Sequence, residues 1–267
     1  MKQNFLKKIN YLTLSTKADI PFEELGIVFS QPSIKDIGMM GGDGKFLAAC
    51  QAITRDYKKK IQGENLSDDI TNFDIFMSII NKRNEDTNVN QIFNAVSSLL
   101  FLICPKYEII FQERCIIFFE QAGENRIPHI LDVRTFDLLR EILIQMFCLD
   151  WLFADGASGD YNPSDFRAEA IAEKLRARRE ILSKYKAERE DIETKSMFSL
   201  YQSILSVGLG KDMNMLAEYS IPQLMVEFER YMKKNNFDYT FQAKMAGAKN
   251  VKETDSWLEE ISLSGKK

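Results

Sequence analysis

Apolar residues recur along this chain at two different spacings, and the change between them sets the expected elements. Over the first thirty residues Tyr11-Leu12-Thr13-Leu14 and Leu25-Gly26-Ile27-Val28-Phe29 form short apolar runs broken by Pro21 and Gly26, a pattern of extended chain. Pro32 stands where a first helical turn tolerates it, and Ile34 and Ile37 follow at helical spacing until Gly41-Gly42 ends the turn. Asp43 is placed to cap the next helix, whose buried stripe is Phe46, Leu47, Cys50, Ile53 and Tyr57. Thr71 caps a third helix with Ile75, Phe76, Ile79 and Ile80 inward, and Ile92 to Ile103 is a fourth, stopped by Pro105. Two runs of β-branched and aromatic residues, Tyr107 to Phe111 and Cys115 to Phe119, then predict a hairpin, with Ile127 to Leu131 as a third strand. A helix follows through Phe136, Leu139, Ile142, Leu143 and Met146.

Beyond this point the pattern is helical only. Ala154-Asp155-Gly156-Ala157-Ser158-Gly159-Asp160 reads as a connection, and a long charged helix is expected from Phe166 to Glu193. Met197 to Val207 predicts a shorter helix ended by Gly208 and Gly210, and Ser220 with Pro222 opens another that runs to Gly247. Val251 to Ile261, carrying Trp257, is the last. The expected fold is therefore mainly α: a mixed N-terminal domain over residues 1–153 with a small antiparallel β element, a linker over 154–162, and an all-helical C-terminal domain over 163–267.

Composition narrows the classes of function. With 35 basic and 39 acidic residues the net charge is −4, so no global positive field gathers nucleic acid or anionic lipid. The longest apolar run, Ala95 to Cys104, is about half of the ~20 residues a membrane span needs, and the N-terminus lacks the apolar core of a signal peptide. Cys50, Cys104, Cys115 and Cys148 have neither zinc-site nor disulfide-framework spacing, and each lies among apolar residues as a free buried thiol would. The single histidine, His129, excludes a two-histidine metal site. Gly38 to Lys45, GMMGGDGK, invites comparison with a phosphate-binding loop but lacks its first glycine, where Met39 stands, and its hydroxyl after Lys45, where Phe46 stands. No carboxylate pair lies in an apolar setting fit for general-acid work, so neither catalysis nor a cofactor or metal is expected.

The C-terminal segment is richer in information. Met197, Met213, Met215, Met225, Met232 and Met245 are six of the 11 methionines, interleaved with Tyr201, Tyr219, Tyr231 and Tyr239. Thioethers beside aromatics suit both a helical core and a surface that adapts to a partner. Ser220-Ile221-Pro222 through Phe228 and Arg230-Tyr231, then Asp238-Tyr239 and Ala243-Lys244-Met245-Ala246-Gly247-Ala248-Lys249, ending in Asp255-Ser256-Trp257-Leu258, resembles the C-terminal region of the tail assembly chaperones of tailed bacteriophages. Gln31 to Cys50 and Thr71 to Phe76 are similar to proteins of the same tail and baseplate group. The resemblance implies a non-catalytic factor of the host cytoplasm that binds tape measure protein and tail-tube or baseplate subunits during virion morphogenesis; the alternative is a structural component of the virion tail. Phe228, Tyr231, Phe237, Tyr239, Phe241 and Trp257 would be the partner-binding residues, because at about 100° per residue so many aromatics cannot all point one way. Gly247 would cap the helix and let the Trp257 helix approach.

Overall fold

The computed structural model of the protein describes residues 9–60, 70–84, 86–120, 126–152 and 197–247, with 258 and 261. The expected linker, the long charged helix and Trp257 lie outside the described residues. What is described is mainly α, with two small antiparallel sheets.

The first described element is α1 (Tyr11–Ser15), where the sequence pattern predicts an extended run. Asn10 decides this, since its side chain accepts a hydrogen bond from the Leu12 N–H and stabilises the first turn. A hairpin of β1 (Ile20–Phe22) and β2 (Ile27–Phe29) follows, closed at Gly26 with φ +69°. In α2 (Ile34–Met40) the cap is Ser33, so Pro32 precedes the helix instead of opening it. Ser33 donates to Asp36 at 2.6 and 2.8 Å through its hydroxyl and N–H. Burial opposes the Asp36 charge, but these bonds outweigh it and hold the carboxyl below its usual value.

Two glycines of positive φ, Gly41 and Gly42, turn the chain into α3 (Gly42–Thr54). After α4 (Tyr57–Lys60) come α5 (Asn72–Asn81), capped by Thr71 as expected, and α6 (Thr87–Ile103), ended before Pro105. The predicted hairpin and third strand are β3 (Tyr107–Phe111), β4 (Ile116–Glu120) and β5 (Pro128–Leu131), all antiparallel in the order 3-4-5. Then come α7 (Val133–Met146) and α8 (Leu149–Leu152), and after the undescribed stretch α9 (Met197–Leu209), α10 (Met213–Ala217) and α11 (Ile221–Met245). No strand is present among the described residues beyond 197.

The core forms where α3 lies against α6 and α7, and α7 against α5. Its aromatic centre is two ring clusters, Phe46 with Phe147 at 4.9 Å, and Phe136 with Phe73 and Phe76, both at 5.0 Å. The same hydrophobic cluster continues without a break through Phe198, Leu205, Leu216, Ile221, Leu224 and Met225. The inner faces of α9, α10 and the start of α11 are thus packed into the core of the N-terminal helices.

Candidate protein-binding surface

The helix that carries most of the candidate residues, α11, is fixed firmly at its start. Ser220 and Gln223 form a reciprocal cap, and the Gln223 side-chain amide donates to the Ser15 carbonyl at 2.9 Å. The Ile34 N–H donates to the Tyr219 carbonyl at 2.9 Å, which joins the start of α2 to the start of α11. Ile221, Leu224 and Met225 are buried. One turn further on, Phe228 lies against the Tyr201 ring at 4.4 Å, and the Tyr231 ring passes so close to Gly208 that a Cβ there would fall 2.3 Å from it. Gly208 is therefore a residue of α9 that admits an aromatic ring, whereas its sequence context marks only a helix end.

Lys211 ties the loop after α9 to α11 and to the segment that leads into it. It bonds Glu227 at 3.0 Å and the Tyr219 hydroxyl at 3.1 Å. Partial burial works against its charge, but the two bonds prevail and hold the ammonium above its usual value.

Past Tyr231 the helix leaves the core. Phe237 is 38% exposed, Phe241 56%, Tyr239 69% and Met245 75%. Gly247 follows with φ +82° and donates to the Lys244 carbonyl, the left-handed turn expected of it. The seven candidates thus separate by position. Phe228 and Tyr231 are half-buried against α9; Phe237, Tyr239 and Phe241 project outward; Gly247 ends the helix; Trp257 lies outside the described residues.

The remaining candidates from the sequence have local structural partners. Asp43 does not cap α3; its carboxylate accepts a hydrogen bond from the Phe198 N–H at 3.2 Å and so serves the first turn of α9. Lys45 donates to the Ser98 hydroxyl on α6 at 3.1 Å. His129 Nδ1 is 2.9 Å from the Leu25 carbonyl, so that nitrogen carries the proton, and the ring fills the space over Gly26. Among the described residues no group of three or more His, Cys, Asp and Glu is placed to hold a metal ion, and no helix is long and apolar enough to cross a membrane.

All four cysteines are free thiols, but they are not alike. Burial pushes the Cys50 and Cys104 thiols far up, and burial followed by the nearby Asp150 charge pushes Cys148 up to about 12. Cys115 is only half-buried, on the β3–β4 turn. Titration of native protein with Ellman's reagent is expected to count about one fast thiol, and about four after denaturation. Loss of the fast thiol in Cys115→Ser assigns it; fast labelling of Cys50 in native protein would contradict the packing of α3.

The fold and surface define a mainly α protein with a solvent-facing aromatic helix end. No protein-family model matches the chain, and comparison with curated proteins and with solved structures finds no match.

Proposed function

We propose that the protein is a non-catalytic assembly chaperone of the tailed-phage type, acting in the host cytoplasm on tape measure protein and tail-tube or baseplate subunits. The observation that supports this reading is the outer half of α11, where Phe237, Tyr239 and Phe241 stand in solvent on a helix whose other half is fixed into the core. Exposed aromatics on a rigid element are the residues through which interfaces gain most of their affinity. They also fall inside the stretch, residues 220 to 258, whose sequence resembles the tail chaperones.

The test is affinity capture from infected cells with tagged wild-type protein and the variants Tyr239→Ala and Phe241→Ala. Each substitution removes an exposed ring, so the melting temperature should move little, because such surface changes stay within about 0.5 kcal/mol. Loss of one central anchor costs about 2 kcal/mol of binding, roughly thirtyfold in affinity. Folded variants that still capture tape measure protein at wild-type yield would defeat the reading. Purified virions should lack the protein; a stoichiometric band there would assign it instead to the tail structure.

A further inference from the structure

A cleft of about 570 Å³ opens beside α3. Ala48, Gln51, Ala52 and Arg55 recur there at spacings of three and four, a single stripe of the helix, and Ile79 of α5 and Ile92 of α6 line the cleft from the neighbouring helices. The Tyr57 ring lines it too. Both α3 and α5 pack on α6 and α7, and the small alanine side chains leave the space between α3 and its neighbours unfilled. In size the cleft falls within the roughly 300–1,000 Å³ of small-ligand sites, and it shares their make-up, apolar walls with few polar groups.

Those polar groups gather toward the C-terminal end of α3, and two of them are already engaged. The Tyr57 hydroxyl donates to the Ala52 carbonyl at 2.6 Å, and the Thr54 hydroxyl to the Cys50 carbonyl at 2.7 Å. Arg55 differs from both. Its guanidinium is exposed, lies 5.9 Å from the centre of the Tyr57 ring and pairs with no carboxylate among the described residues. A second guanidinium, that of Arg140, donates to the Thr54 carbonyl at 2.8 Å and to Asp137. Burial raises the Tyr57 phenol, and the charges of Arg55 and Arg140 oppose that rise. The Tyr57 end of the cleft is therefore positive, and Arg55 is the charge placed to meet a ligand.

We propose that this cleft binds a small aliphatic carboxylate, with the head on Arg55 and the chain along Ala52 and Ala48 beside Ile79 and Ile92. The planar fork of an arginine bonds a carboxylate through two parallel N–H groups. From Arg55 to Ala48 the helix rises about 10 Å at ~1.5 Å per residue, the reach of a chain of octanoate's length. A peptide suits the cleft less, because its backbone amides would enter an apolar lining where Gln51 offers a single side-chain amide to meet them. A hydrocarbon chain needs no hydrogen bonds there. This inference is independent of the chaperone reading and uses none of the α11 aromatics.

Isothermal titration calorimetry of the full chain with octanoate tests it, with acetate, octanol, octylammonium and trileucine carrying a free C-terminus as comparison probes. Expected are saturable binding of octanoate, about tenfold weaker binding of octanol, and still weaker binding of acetate and octylammonium. Arg55→Gln should lose about tenfold in octanoate affinity and keep wild-type affinity for octanol, a split that a merely structural role for Arg55 would not produce. Ala48→Phe fills the cleft and should weaken octanoate and octanol alike. Both positions are exposed, so both variants should melt with wild type, and the comparison of probes on wild type stands whatever the variants do. Absence of saturable octanoate binding, equal binding of acetate or octanol, tighter binding of trileucine, or unchanged octanoate affinity in either folded variant would overturn the inference.

Discussion

Phe46→Ala is expected to lower the unfolding free energy by about 3–5 kcal/mol and to loosen residues 197–225 together with the helices around Phe46. The ring is fully buried, meets Phe147 edge-on at 4.9 Å and reaches Phe198 at 6.1 Å. Truncation removes the burial of a large aromatic and leaves a cavity that rigid α6 and α7 cannot close. It also withdraws a ring contact from the first turn of α9, which Asp43 holds too by accepting from the Phe198 N–H. Urea unfolding followed by circular dichroism, with hydrogen exchange at residues 198–205, checks both parts. A loss under 1 kcal/mol, or unchanged exchange in α9, would mean that α9 is not part of this core. Phe101→Ala is the control, since that ring is about half exposed and its loss should cost far less.

Opposite signs are expected from two glycines three residues apart. Gly41→Ala should destabilise by about 2 kcal/mol, because φ +122° is strained for any residue with a Cβ and the new methyl would stand 3.0 Å from the Lys45 side chain. Gly44→Ala should stabilise by about 0.5–1 kcal/mol, because Gly44 is helical and nothing lies within 4 Å of the added carbon. Thermal melts of the two single variants decide the matter. If both shift the same way, the turn between α2 and α3 is not as described. The comparison also separates two readings of GMMGGDGK, since a loop built to cradle phosphate has no reason to favour Ala at its last glycine.

The elements that could be read from the chain are those whose signals are local. Thr71 and Ser220 cap α5 and α11 through bonds to residues three further on, and Pro105 follows the end of α6. The alternating runs at Tyr107–Phe111 and Ile116–Glu120 pair as a hairpin. What could not be read depends on residues far apart. Asp43 resembles a cap for the helix it begins, yet it serves α9, 155 residues away. Gly208 is open to Tyr231 because two helices cross there, and no window along the chain contains both. Tyr11–Leu14 fails for a different reason, because four residues are too few for a period to show and a single asparagine decides between strand and helix. Of the candidate surface, the aromatics were legible as a density but their directions were not. Only the position of α9 reveals that Phe228 and Tyr231 are covered while Phe237, Tyr239 and Phe241 are not.

The seam that joins the starts of α2 and α11 has a consequence for how the chain is made. Its bonds connect Lys35 with Glu218 and Ser15 with Gln223, separations of 183 and 208 residues. At ~5–20 residues per second on the ribosome, roughly 8–30 s pass between synthesis of Asp43 and of its partner Phe198. During that interval the apolar face around Phe46 has no α9 to cover it. A chain released before α9 therefore presents a fresh hydrophobic surface to proteases and to its neighbours, and the last helices act as the clasp that ends its exposure.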